Sequence, residues 1–211
     1  MEMFDLVRID HFRGFEAYWE IDARADTAVD GHWVKGPGQR FFKVLKQVFE
    51  ELPLVAEDLG VITPEVTALR MKFDLPGMKI LQFAFDGSAD NPYLPHNHEE
   101  LSVVYTGTHD NNTTLGWYQD LSDEQQHLLR HYLGDSSEAI PALLVRAALA
   151  SVARLAVIPL QDVLGLDGAH RMNVPGVAEG NWHWRFRWDQ VQEEDINRLR
   201  DWIQLYGRKI Y

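Results

Sequence analysis

Four stretches of the chain share one pattern: a short apolar run, rich in β-branched residues, that breaks into charged side chains. Leu6-Val7-Arg8-Ile9 runs into Asp10-His11-Phe12-Arg13-Gly14, and Leu54-Val55-Ala56 runs into Glu57-Asp58. Val103-Val104-Tyr105 leads through Thr106-Gly107-Thr108 to His109-Asp110. The run over 155–160 leads to Gln161-Asp162. An apolar body with a charged tip is how a buried parallel strand reads when its C-terminal end lines a pocket. A fifth run, nearly continuous over 78–85, reads as another buried strand. The spacing between them predicts helices. Phe41, Phe42, Leu45, Val48, Phe49 and Leu52 repeat near 3.6 residues over 39–52, and Pro53 closes that helix. Thr63-Pro64 starts another, running to about Phe73. Further helices are expected over 113–119, over 122–133 with a Ser122…Gln125 capping box, over 139–152 and over 193–205.

Residues 16–33 read as a loop or short helices over the first strand end, and Trp33 to Gly38 as a turn. A long loop is expected over 86–100 and another over 164–179. Alternating strands and helices indicate a parallel α/β sheet. A doubly wound sheet would carry a glycine-rich phosphate loop after an early strand, and neither such motif is present. Function-bearing loops after each strand favour the C-terminal part, about strands 4 to 8, of a (β/α)8 TIM-type barrel, with residues 1–211 one portion of a single domain. A chain that opens on a buried strand is expected to be the C-terminal part of a longer protein.

Composition narrows the partners. The 211 residues carry 20 Lys and Arg against 32 Asp and Glu, a formal charge of −12, which repels nucleic acid but not a neutral polyol such as a sugar. Without cysteine there is no disulfide framework, thiolate nucleophile or Cys-based zinc site. No apolar run nears the roughly 18 residues of a membrane span, so no membrane partner is expected. Met1-Glu2-Met3-Phe4-Asp5 is acidic and unlike a signal peptide. A cytoplasmic location is the matching expectation.

The acids define the candidate chemistry. Arg8 and Asp10, two apart on a strand, share a face, and the guanidinium favours an ionised Asp10, suited to attack a sugar carbon. Glu57, beside other acids in a half-dry pocket, is suited to hold a proton and give it to a leaving oxygen. Two such carboxyls about 5–5.5 Å apart make a retaining glycosidase pair. His109 and Asp110 add a donor and a third acid for ring hydroxyls. Each strand-end acid, taken alone, is most often a helix cap or salt-bridge partner, and it is the cluster of four such ends with Arg8, His11, His109 and Gln161 that favours catalysis. His96 and His98 read as solvated loop residues that match no metal signature. Trp182, Trp184 and Trp188, beside Asn181 and Arg185, are either packing aromatics or a sugar-stacking platform. Hydrolysis with the same acids, a metal-dependent barrel hydrolase and an inactive glucan-binding fragment are the competing functions.

At these residues a resemblance enters. Arg8-Ile9-Asp10-His11-Phe12-Arg13-Gly14-Phe15, Ala56-Glu57-Asp58-Leu59-Gly60, Thr106-Gly107-Thr108-His109-Asp110-Asn111 and Gly180-Asn181-Trp182-His183-Trp184-Arg185 look like the amylomaltase family of 4-alpha-glucanotransferases, relatives of the alpha-amylases. Pro64-Glu65-Val66, Leu75-Pro76-Gly77-Met78-Lys79 and Met172-Asn173-Val174-Pro175-Gly176 resemble it too. The resemblance implies a (β/α)8 barrel, with Asp10 matching the nucleophile on strand four, Glu57 the general acid/base on strand five and Asp110 the transition-state stabiliser on strand seven. Arg8, His11 and His109 match residues around the sugar, and Asn181 and Trp182 match the segment after strand eight. The implied ligands are α-1,4-glucans and malto-oligosaccharides, with no cofactor and no metal. Family members are much longer and begin with the missing strands.

Overall fold

The computed structural model describes residues 3–208; Met1 and Glu2, part of the acidic lead-in discussed above, lie outside it, as do residues 209–211. The chain divides into two compact units, Met1–Met78 and Lys79–Tyr211.

The first unit is built on a parallel pair, β1 (Val7–Ile9) and β4 (Leu54–Ala56), with Val7 opposite Leu54 and Ile9 opposite Ala56. The ladder continues past both strand ends. The Glu57 amide donates to Ile9 O at 2.9 Å, and the Phe12 amide donates to Glu57 O at 3.0 Å. Helix α1 (Gln39–Val48) follows Gly38, and α2 (Pro64–Lys72) has Pro64 in its first turn. α1 stops earlier than its apolar spacing suggested: Phe49 is already extended, and Leu52 precedes Pro53, which disfavours a helical backbone there. Thr63 precedes α2 in an extended conformation without a side-chain cap. The core between these elements is aromatic. Phe12, Phe42 and Phe73 are buried, with ring centroids 5.6 and 5.2 Å apart from Phe42, among Leu54, Ala56, Val66, Leu69 and Leu75.

A further expectation fails in this unit. The segment expected to be loop or short helices contains an antiparallel hairpin, β2 (Ala17–Ile21) and β3 (Gly31–Lys35), with Trp19 opposite Trp33 and Glu20 opposite His32. Val34 and Lys35 are thus strand rather than turn. Ala17, Trp19 and Ile21 alternate with Tyr18 and Glu20 at the period of a strand. The Asp- and Ala-rich stretch 22–30 is the connection.

Strand β5 (Gly77–Ile80) carries the chain from one unit into the other and belongs to a sheet of order β5-β6-β7. β6 (Ser102–Tyr105) and β7 (Leu155–Val157) are parallel, with Val103 opposite Leu155. The apolar runs over 78–85 and 155–160 are strand only in their first halves. Leu81–Phe83 forms a 3-10 turn, and α6 (Leu160–Val163) starts directly after Pro159. Gln82 explains the first bend: its amide donates to Thr106 O and its side chain to Asn112 O. Pro159 explains the second, since it has no N–H to continue a ladder. Helices α3 (Thr114–Gln119), α4 (Asp123–Leu133), α5 (Ile140–Ala150) and α7 (Glu193–Leu205) match their expected positions closely. The Ser122/Gln125 capping box is formed, and Thr113 caps α3 through the Gly116 amide. Leu144, Ala148, Leu129, Val104 and Leu81 are fully buried in the core of this unit. His98 is buried rather than solvated: Nδ1 lies 2.6 Å from Ser151 Oγ and Nε2 2.8 Å from Tyr93 O. It ties the 86–100 loop to the end of α5.

Phe42 meets both Phe12, which follows β1, and Phe73, which follows α2. Phe42→Ala should lower stability by about 3–5 kcal/mol. Urea denaturation checks this; a loss under about 1 kcal/mol would mean that Phe42 is not central to the core.

Candidate functional site

In the first unit, the site is made by the strand pair itself. β1 ends at Ile9, and His11 adopts a left-handed backbone at φ 47° that turns the chain into the helical turn Phe12–Phe15. At the start of this turn the His11 amide donates to Glu57 Oε2 at 2.7 Å. Glu57 Oε1 accepts the Leu59 amide at 2.9 Å. Both carboxylate oxygens are thereby oriented by backbone. Asp10, the residue before His11, receives Arg8 Nη2 at 2.9 Å, so the shared face expected for this pair is formed. The Asp10 side chain is 80% exposed, and the other Arg8 terminal nitrogen lies 3.9 Å from Met78 Sδ. The next acid, Asp58, has a different task. It is nearly buried, pairs with Arg70 at 3.1 Å and accepts the Met78 amide at 2.7 Å. A Cβ on residue 77 would lie 2.3 Å from the Asp58 carboxylate, so a larger residue there would push Asp58 away from Arg70 and the Met78 amide.

In the second unit, β6 leads through Thr106 and Gly107 to His109 and Asp110. Asp110 is held from several directions. Asn173 Nδ2 donates to its Oδ1 at 2.5 Å, Arg171 Nη2 donates to its carbonyl at 2.9 Å, and His109 Nε2 lies 3.3 Å from Oδ2. The His109 ring packs on Trp182 with centroids 5.2 Å apart. Trp182 is 54% exposed, has φ 64°, and donates its amide to Met172 O at 2.7 Å. His109, Gln161, Arg171, Met172 and Trp182 line a cavity of about 210 Å³. The Asn181 amide is engaged by its own loop: Oδ1 accepts the Val174 amide at 2.8 Å, and Nδ2 donates to Val177 O at 2.7 Å. Arg185 likewise donates to the Trp182 and Trp184 carbonyls. Trp184 stacks on Phe186, while Trp188 is largely exposed.

The structure brings Arg8, Asp10, His11 and Glu57 together at one strand-pair end. It brings His109, Asp110 and Trp182 together at another. Arg171 and Asn173, which grip Asp110, are not singled out by sequence spacing; the Met172 to Gly176 motif contains Asn173, and Arg171 carries no signal of its own. Asp162 does not deliver a free carboxylate. It is buried on α6 and accepts Thr106 Oγ1 at 2.5 Å, the Thr114 amide at 2.7 Å and Thr114 Oγ1 at 2.8 Å.

Parallel strand pairs that end in oriented carboxyl groups, on an α/β scaffold, are a layout suited to glycosidic-bond chemistry. The family follows from comparison. The model of the 4-alpha-glucanotransferase family matches residues 1–191, and the chain belongs to that family. It is 54% identical over 208 residues to a 4-alpha-glucanotransferase of Thermus thermophilus, covering 95% of this chain and 42% of the relative. It is 52% identical to one of Synechocystis sp., covering 100% and 42%. An amylomaltase structure from Streptococcus agalactiae in complex with acarbose superposes with a TM-score of 0.96 at 36% identity, covering 99% of this chain and 43% of that one. The chain thus spans about two fifths of the length of these relatives.

Burial pushes the Asp162 carboxyl above its ordinary value, and the bonds from Thr106 and Thr114 oppose that rise. An acid raised in the folded state holds its proton more tightly there than in the unfolded chain. Its contribution is complete below the unfolded value of about 3.9 and is lost as pH rises through the folded one. The stability of wild type relative to Asp162→Asn should therefore fall as pH climbs through that window. Urea midpoints across the acid range check the sign; a difference that grows with pH would contradict it.

Proposed function

We propose that the chain is the part of a 4-alpha-glucanotransferase that carries its three acids, corresponding to strands 4 to 8 of a (β/α)8 barrel, and that it transfers segments of α-1,4-glucan to a new 4-hydroxyl. The observation that carries this reading is the Glu57 carboxylate clamped by the His11 amide, one residue from an Arg8-bound Asp10. Family membership and the acarbose complex of the Streptococcus agalactiae relative support an oligosaccharide ligand.

Asp10, charged and accessible, attacks the anomeric carbon while Glu57 gives its proton to the departing glycosidic oxygen. The C–O bond breaks, and a β-linked glycosyl ester forms on Asp10. Glu57, now a carboxylate, takes the proton from the 4-hydroxyl of an incoming glucan, whose oxygen displaces Asp10 and restores the α-linkage. The backbone amides on Glu57 fix the direction in which it faces, which is the geometric requirement for proton transfer. Arg8 offsets the charge on Asp10 before attack. In this reading Asp110, steadied by Asn173 and Arg171, accepts hydrogen bonds from ring hydroxyls as the ring flattens. His11 and His109 serve as donors beside the sugar, and Trp182 offers an exposed ring. Asn181 acts by shaping the loop that presents Trp182.

A 5-fluoro maltosyl fluoride donor should trap a covalent adduct, and peptide mapping should place it on Asp10. A label on Glu57, or none, would overturn the assignment. Glu57→Gln should lower kcat by about 10²–10⁴-fold. Maltotriose should give longer chains; glucose and maltose alone would mark hydrolysis instead.

A further inference from the structure

We propose that the β2–β3 hairpin is a binding platform for the pyranose rings of a glucan chain, with Trp19 and Trp33 as its surface. The proposal rests on the reading of the neighbouring site as glucan-transferring. It adds a place where the chain beyond the cleaved bond is held.

Position is the first argument. The hairpin leaves the polypeptide directly after the turn Phe12–Phe15 that follows Asp10 and His11. Its base is fastened to that turn, since Gly36 and Gly38 donate to Glu16 O and Phe15 O. Arg13 joins it to the loop after Glu57: its guanidinium lies 4.2 Å from the centroid of the Trp33 ring, and its Nη1 donates to Val61 O. The hairpin is therefore tied both to the turn after Asp10 and to the loop after Glu57.

Preorganisation is the second. Trp19 and Trp33 sit opposite each other and meet edge to face at 5.4 Å. Trp19 Nε1 donates to Ala28 O at 2.9 Å. A Cβ on residue 31 would come within 2.6 Å of the Trp19 ring, so Gly31 is what lets the indole lie down over β3. Both rings are fixed, yet they remain 40% and 52% exposed. Fixed, exposed indoles offer the apolar C–H face of a pyranose a surface that costs little ordering to occupy.

Charge selects the class of ligand. The hairpin end carries Glu20, Asp22, Asp26 and Asp30, and its Arg24 is paired with Asp22 at 2.9 Å. Polyanions are repelled there, while a neutral polyhydroxylated chain finds carboxylate acceptors for its hydroxyls. A cross-strand Trp pair also stabilises a hairpin by itself, so the test must separate binding from folding.

Donor-length dependence does so. Trp33→Ala, and Trp19→Ala likewise, should raise KM for maltoheptaose about three- to tenfold more than KM for maltotriose, with Trp→Tyr restoring most of the difference. Equal effects on both donors, or none, would overturn the platform. Hydroxyl-radical footprinting of the wild-type protein needs no variant. Maltoheptaose should protect Trp19 and Trp33 more than maltotriose does, and unchanged labelling would overturn the proposal. If the wild-type protein transfers nothing, the catalytic reading fails, and the footprint still decides the platform.

Discussion

The structure of the first unit depends on the hydrogen bonds that continue the β1–β4 pairing beyond the strands. Ile9 O takes the Glu57 amide, Glu57 O takes the Phe12 amide, and the Glu57 carboxylate takes the His11 amide. These three bonds form one continuous ladder in which a side chain replaces the next backbone acceptor. The register of two short strands thus sets both where Asp10 stands and which way Glu57 faces. The left-handed backbone at His11 turns the chain from this ladder into the helical turn Phe12–Phe15. The phenylalanine core beneath it and the Asp58–Arg70 pair beside it hold the two strand ends in place. Asp58 shows how a neighbouring acid is diverted: next to Glu57 in sequence, it is spent on β5 and Arg70.

The same division recurs in the second unit. Asp162 is buried under the end of β6 and consumed by Thr106 and Thr114, fastening α6 and α3 to that strand. Asp110 stays exposed and is gripped from outside by Asn173 and Arg171. One acid shapes the loop end, and the other keeps an exposed carboxylate. Exposure with fixed orientation separates the two, and both properties arise from backbone and loop contacts.

Much of this was legible in the chain. The charged tips of the apolar runs put Asp10, Glu57 and Asp110 after β1, β4 and β6, where they stand, and the Arg8–Asp10 spacing anticipated the contact of that pair. Helix starts were legible where the cap chemistry was local, as at Ser122/Gln125 and Thr113. The failures have physical causes. The runs over 78–85 and 155–160 carry no period that distinguishes strand from helical turn, and the bends were set by Gln82 reaching Thr106 O and Asn112 O and by Pro159. The hairpin was hidden because its strands are mostly exposed, so they lack the apolar contrast that marked the other strands. His98 and Asp162 looked free because their partners, Ser151 and Thr106, lie more than 50 positions away.

The proposed reaction divides its labour between Asp10 and Glu57. The most direct measurement is azide rescue on an α-maltosyl fluoride donor, with the anomeric configuration of the product read by NMR. With Asp10→Ala, azide replaces the missing nucleophile and should give a β-glycosyl azide by a single inversion. With Glu57→Ala, azide displaces Asp10 from the β-linked ester and should give the α-glycosyl azide by two inversions. The opposite pairing of variants and products would contradict the assignment.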